Sequence, residues 1–315
     1  MEADPIEVGD DISAFLKSVE SLAYYRPVDC RRFHASSTAL RWLTTYSGAL
    51  GEWAALVTHL VFDSDLFGMG EVRLEPLLVP EYFGPLRPEV IAEAEAFVAK
   101  VIEDARAHGM RHVTAPVKAG DTLGQLALQC GGFTMSDTII VHGIDLTAYD
   151  GPLPSRSIRT AEDGDAAALA AISGTCFGNR RYNANRFNSD PAFDPVAVES
   201  LYQMWASKSV RKEMADEVLV YDVDSAPAGF ITLSTSTGPS GAVVGTIPLN
   251  AVAPEHQGKG IYTDLVRAAL LRLKARQAST VEIRTQLSNL AVHRTWQRLG
   301  GVIVDALHTF RLSIP

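Results

Sequence analysis

The chain runs to 315 residues, 47% of them hydrophobic, with 21% charged and a formal net charge of -9. That length exceeds one small core and suits two domains, and an acidic chain has no general attraction for nucleic acid or an anionic membrane. No apolar run approaches the roughly 20 residues of a membrane span, and the three cysteines, Cys30, Cys130 and Cys176, are too scattered for a disulfide framework or a zinc cluster. The start, Met1 to Asp11, is acidic and lacks the basic and apolar stretches of a signal peptide, so a reducing cytoplasm is the expected setting.

In chain order, Ile91 to Ala107 has helical periodicity, His112 to Val117 reads as a strand and Thr122 to Cys130 as a helix. Gly131-Gly132-Phe133 ends that helix, and the strand Thr138 to Ile144 follows. Asp145 to Arg156 (DLTAYDGPLPSR) carries turn residues between patterned segments and reads as a linker, dividing the chain into 1–150 and 151–315. Beyond it comes a short strand at Ser157 to Thr160. Glu162, Asp163 and Asp165 then open an Ala-rich helix ending near Ser173, acids being favourable at a helix start. Asn183 to Val210 is polar, then helical. Strands are expected at Val218 to Val223, Ala228 to Thr235 and Ala242 to Val252, separated by Asp224-Ser225 and Gly238-Pro239. A helix over Gly260 to Gln277, a strand over Thr280 to Thr285, a helix over Asn289 to Leu299 and a strand over His308 to Ser313 complete the chain. The class is α+β. The order helix, strand, helix, Gly-Gly, strand occurs in both halves, and Val79-Pro80-Glu81 echoes Ala253-Pro254-Glu255, which reads as a weak internal duplication.

The chemistry concentrates in Asn250-Ala251-Val252-Ala253-Pro254-Glu255-His256-Gln257-Gly258-Lys259-Gly260-Ile261-Tyr262. A strand stops at Pro254, glycines turn the backbone, and a helix begins. Unpaired N–H groups and the helix dipole make that start an anion seat. Lys259 and His256 can add positive charge. The spacing matches neither G-x-G-x-x-G nor G-x-x-x-x-G-K-[ST]. A bare tight turn without a ligand is the bland alternative.

The run resembles the pyrophosphate motif of the GNAT superfamily of acyl-CoA-dependent acyltransferases, V-x-P-x-x-[QR]-x-x-G-x-[GA], matching at Val252, Pro254, Gln257 and Gly260. It departs at Tyr262, where the family has Gly or Ala. Asn289 to Gly301 is similar to the family pattern N-x-x-A-x-x-L-Y-x-K-x-G-F, with Trp296 in place of the tyrosine that serves the family as proton donor. The resemblance implies a GNAT fold in the second half, with a splayed mixed sheet flanked by helices, preceded by a degenerate GNAT-like domain. It implies acetyl-CoA or another acyl-CoA as co-substrate, no metal, and a strand at Asn250 to Val252 that diverges from its neighbour to receive the pantetheine arm. The implied CoA contacts are Asn250, Ala251, Val252, Gln257, Gly258, Lys259, Gly260, Ile261, Tyr262, Asn289 and Trp296.

An indole N–H is no practical proton donor, so the catalytic pair is open. His293, His256 and Tyr262 are the candidates, with His293 on one helix face with Asn289 and Trp296. His293 reads first as a structural histidine. Tyr262 reads equally as acid, acceptor contact or packing.

For the acceptor, Phe62-Asp63-Ser64-Asp65-Leu66-Phe67-Gly68, Arg186-Phe187 before Tyr202 and Trp205, and Thr285-Gln286-Leu287-Ser288-Asn289 resemble segments of dTDP-fucosamine acetyltransferase and related sugar N-acetyltransferases. That likeness implies an amino group on a nucleotide-linked deoxysugar, with Arg186, Tyr202, Trp205 and Gln286 as acceptor contacts and Arg180 and Arg181 as further phosphate partners. Tyr202 and Trp205 read as core packing equally well. The first half has Tyr82-Phe83-Gly84-Pro85-Leu86 in place of the glycine loop, and Pro85 lacks an N–H, so that half is expected to bind no CoA. An O-acyl or carrier-protein-linked acyltransferase and a non-catalytic acyl-CoA-binding module are the competing readings. The expected assembly is a monomer or homodimer.

Overall fold

The computed structural model describes residues 10–21, 40–82, 84–156, 158–178, 185–237 and 241–315. Cys30, Phe83, Ser157, Arg180, Arg181, Asn183, Gly238 and Pro239 lie outside the described residues. The chain divides into two compact units, residues 1–138 with 307–315, and residues 139–306. This differs from a division at 150. The strand Thr134–Asp145 begins in the first unit and continues in the second, and the last strand, Val302–Ser313, does the reverse.

In the first unit, helix α1 (Asp10–Ser21) precedes the antiparallel pair β1 (Arg41–Gly48) and β2 (Gly51–His59). Helix α2 (Val61–Phe67) leads to β3 (Glu71–Leu78), antiparallel to β2. Helix α3 (Pro88–Ala107) buries Val90, Ala94, Phe97, Val98, Val101 and Ala105, a spacing that forms one helical stripe. β4 (His112–Lys118) runs parallel to β3 only over His112 to Thr114. Helix α4 (Thr122–Cys130) follows, and the end of the chain lies antiparallel to β4, from Leu307 opposite Lys118 to Ser313 opposite His112. Trp53, Phe97, Leu128 and Phe310 centre this core.

The elements ahead of α3 carry no assignment in the sequence pattern. β2 buries Ala54, Ala55, Leu56 and Val57 in succession, so it shows no period-2 alternation.

The second unit opens with the remainder of β5 (Thr134–Asp145). The expected linker proves to be an ordered strap across a later helix. Lys274 Nζ donates to the Tyr149 carbonyl at 2.5 Å, and Ser155 donates to the buried carboxylate of Asp264. β6 (Arg159–Thr160) and a single 3-10 turn precede helix α5 (Ala166–Phe177). The Arg159 guanidinium holds both Asp165 and Asp222, at 2.6 Å from each. Helix α6 (Pro195–Val210) packs on α5. β7 (Glu217–Val223) and β8 (Ala226–Thr237) form an antiparallel pair.

The strand expected over Ala242 to Val252 is two strands, β9 (Val243–Thr246) and β10 (Asn250–Val252). Helix α7 (Ile261–Ala275), strand β11 (Thr280–Gln286) and helix α8 (Leu290–Arg298) follow, and then β12 (Val302–Ser313), which begins six residues before the expected His308. The strand order in this unit is β5-β11-β9-β8-β7-β6, with β10 on β8. β11 is antiparallel to β5 from Thr280 opposite Asp145 to Gln286 opposite Ile139. It is parallel to β9 only over Thr280 to Glu282.

The break between β9 and β10 is pinned by Thr232. Its hydroxyl donates to the Leu249 carbonyl and accepts the Leu249 N–H, both at 2.8 Å, while its own N–H donates to the same carbonyl at 2.9 Å. Thr232 and Leu249 are buried, so each lost partner would be an unsatisfied polar group. Thr232→Val, which preserves shape, is expected to lower stability by about 1–3 kcal/mol in urea unfolding, because the Leu249 N–H loses its acceptor.

Candidate active site

The parity of β10 follows from its bonds to β8. Leu249 and Ala253 turn their main-chain groups toward that strand, the Ala253 N–H donating to the Ala228 carbonyl at 2.9 Å. Asn250 and Val252 therefore present theirs on the other side, where no strand pairs with β10 among the described residues. This is the divergence that the sequence resemblance implies. The Val252 carbonyl accepts from Gln257 Nε2 at 3.0 Å and from Cys176 Sγ at 3.3 Å. Gln257 thus folds the loop back onto the strand end. Burial, and then Glu255, push the Cys176 thiol up to about 11. Nothing in the sequence beyond an isolated cysteine marked Cys176.

Past a 3-10 turn at Pro254–His256, Gly258 and Gly260 have φ of 75° and 83°. Both lie in the left-handed region that favours glycine. A Cβ at either would meet no heavy atom within 4 Å, so the space above them is open. Gly260 is the N-cap of α7, and no side chain caps that helix. Its first-turn N–H groups have no intrahelical partner and face the open side, the arrangement that seats a phosphate. Lys259 is exposed on the same loop. The Nδ1 atom of His256 is buried without a hydrogen-bond partner.

Trp296, expected as a CoA contact, is 0% exposed and cannot touch a ligand in this conformation. Its indole N–H donates to the Tyr262 hydroxyl oxygen at 3.1 Å. Burial pushes the Tyr262 phenol above the ordinary tyrosine range, with the Trp296 hydrogen bond opposing it. Asn289 precedes α8 and does not cap it; its Nδ2 donates to Thr285 Oγ1 at 3.1 Å. Gln286 ends β11, and its carbonyl accepts from the Asn289 N–H at 2.9 Å.

His293 is hydrogen-bonded through both ring nitrogens. Its Nε2 lies 3.0 Å from the Gln286 carbonyl, which can only accept, so the proton sits on Nε2. Nδ1 then accepts from Nε2 of His142, 2.7 Å away on β5. His142 is wholly buried and its Nδ1 has no partner. Burial, and then His293, hold its pKa down.

The acceptor candidates divide. Tyr202 is 7% exposed, stacked on Phe177 with ring centroids 4.8 Å apart. It belongs to the core rather than to a sugar-stacking face. Trp205 lies parallel to Tyr202 at 6.2 Å and is half-buried; its indole N–H is buried without a partner. The Arg186 guanidinium sits 3.8 Å over the Phe187 ring. Ser64, in the early motif, accepts from the Glu71 N–H at 2.8 Å and lies 2.9 Å from His59 Nε2, tying α2 to β3 within the first unit.

Residues 184–301 match the model of the acetyltransferase (GNAT) family. No curated protein matches the chain. Among solved structures, a tandem GNAT protein from the clavulanic acid biosynthesis pathway is 18% identical, covering 98% of this chain and 97% of that one, with a TM-score of 0.58. A GCN5-related N-acetyltransferase from Sphaerobacter thermophilus is 18% identical over 82% of this chain and 76% of that one, with a TM-score of 0.54. A glucosamine N-acetyltransferase region of a fungal multi-domain β-N-acetylglucosaminidase is 14% identical over 82% of this chain and 31% of that one, also at 0.54. Identities this low establish the fold, a GNAT domain with a second GNAT-like domain before it.

The histidine pair has a pH signature. A histidine with a depressed folded pKa contributes stability present above its unfolded value of about 6.5 and lost as pH falls through the folded value. Urea midpoints should therefore drop between pH 7.5 and 5.5, and His142→Leu should flatten that drop.

Proposed function

We propose that this chain, whose residues 184–301 match the model of the acetyltransferase (GNAT) family, transfers an acetyl group from acetyl-CoA to the amino group of a small molecule. The observation that carries the reading is the free side of β10 running into the open seat of Gly258 and Gly260 at the start of α7. A diphosphate fits the seat, and an extended arm with amide groups fits the main-chain groups of Asn250 and the Val252 N–H. Gln257 holds the seat by its bond to the Val252 carbonyl.

The chemistry asks little of side chains. A thiol of CoA type, with a pKa of about 8.5, leaves as a tolerable thiolate. Holding amine and thioester together removes much of the barrier, and a main-chain N–H on the free strand can polarise the acyl carbonyl. A water chain serves as base. The first unit acts as scaffold: its matching helix begins with Arg87 and Pro88 and no glycine seat.

The acceptor class we favour is an amino sugar, free or nucleotide-linked. Support comes from the ordered sugar-acetyltransferase segments in the sequence and from Trp205, whose unpartnered N–H suits a hydroxyl. The glucosamine N-acetyltransferase region among the similar folds is consistent with that class. Arg186 and Gln286 are the remaining candidate contacts.

Thiol release from acetyl-CoA, followed against a panel of amino sugars, aminoglycosides and simple amines, should show amine-dependent turnover highest for an amino sugar. Tight CoA binding without turnover on any amine would refute the enzyme reading. Gly260→Val strains a left-handed position and fills the seat, and should raise the Kd for acetyl-CoA by roughly tenfold or more, about 1.4 kcal/mol.

A further inference from the structure

Tyr262 and Trp296 both depart from the GNAT pattern, and the fold brings them together: the Trp296 indole N–H donates to the Tyr262 hydroxyl oxygen at 3.1 Å. We infer that Tyr262 is the proton donor to the departing thiolate, and that Trp296 is the residue that positions it. The inference rests on the acetyl-transfer reading above.

An indole has one N–H and accepts nothing. The bond therefore runs in one direction and occupies a lone pair of the phenol oxygen. The hydroxyl hydrogen is turned away from the indole and is free to be donated elsewhere. Trp296 cannot swing aside, because its ring is fully buried in the core with Leu265, Ile283 and Leu299. Tyr262 stands in the first turn of α7, two residues past the Gly260 N-cap. A diphosphate on that seat sends its arm out from the same turn that carries the phenol. Burial keeps the phenol protonated through the neutral range, as an acid requires.

Other nearby groups are already engaged. Both nitrogens of His293 are bonded, and the Cys176 thiol is directed at the Val252 carbonyl. In the step, the amine nitrogen bonds to the acetyl carbon and the C–S bond breaks. The sulfur electron pair takes the Tyr262 proton, giving the free thiol. The proton shed by the amine goes to water, and the phenolate regains one from water.

Tyr262→Phe keeps the ring and removes the hydroxyl. Its kcat should fall about 100-fold, the lower end for a positioned proton-transfer group, with acetyl-CoA affinity by calorimetry unchanged and Tm lowered only by the loss of the acceptor for the buried Trp296 N–H. A fluorinated, more acidic tyrosine at 262 should bring the alkaline loss of kcat down in pH. Trp296→Phe should show a smaller kcat loss. The pair Tyr262→Gly with Trp296→Tyr, which returns a phenol from α8, should recover activity over Tyr262→Gly alone. An active wild type with an equally active Tyr262→Phe overturns this assignment alone. Loss of affinity in step with kcat makes Tyr262 a packing contact and also overturns it. A wild type inactive on every amine overturns the transfer reading, and the assignment with it.

Discussion

The hydroxyl of Thr232 gripping both main-chain groups of Leu249 is the constraint on which the site depends. It stands where a regular ladder bond would be and lets the strand after β9 change course. β9 keeps two neighbours, β8 and β11, whereas β10 keeps β8 alone. A strand with one side unpaired in the middle of a sheet is costly unless something else meets its N–H and C=O groups. Among the described residues no strand covers that side, which leaves an open edge on an otherwise ordinary sheet.

The loop that follows inherits its position from this edge. Gln257 and Cys176 both reach the Val252 carbonyl, so the strand end, α5 and the glycine turn are held at one point. The turn then delivers the start of α7 with its N–H groups uncapped. The strand end and the helix start are thus linked through a few main-chain atoms. Side chains tune the arrangement, with Tyr262 leaning on a buried indole and the two histidines hydrogen-bonded to each other.

The units are not the halves of the sequence. β5 supplies the neighbour of β11 in the second unit, and the chain's last residues supply the neighbour of β4 in the first. Each unit therefore needs a strand segment from beyond the boundary expected at 150. The strap over Asp145 to Arg156 follows from the same fact: it leads from β5 back along α7, where Lys274 and Asp264 fasten it.

The helices from α3 onward were legible where a buried stripe repeats along them, as in Val90, Ala94, Phe97 and Val101. The glycine loop was legible because left-handed backbone needs glycine, and Gly258 and Gly260 both adopt it. The second and third strands were not, since strands buried on both faces lose alternation. The bend at Leu249 was hidden as well, because an apolar run reads the same whether straight or broken. The partnerships His142 with His293, Tyr262 with Trp296 and Cys176 with Val252 join residues 151, 34 and 76 positions apart. The sequence by itself determined the α+β class, the anion seat and the family resemblance, all of which rest on local backbone preference and spacing. Only the tertiary structure decided which atoms meet, because hydrogen-bond direction and burial are properties of facing elements, and these bonded His293 to His142, stacked Tyr202 on Phe177 and set Tyr262 against Trp296.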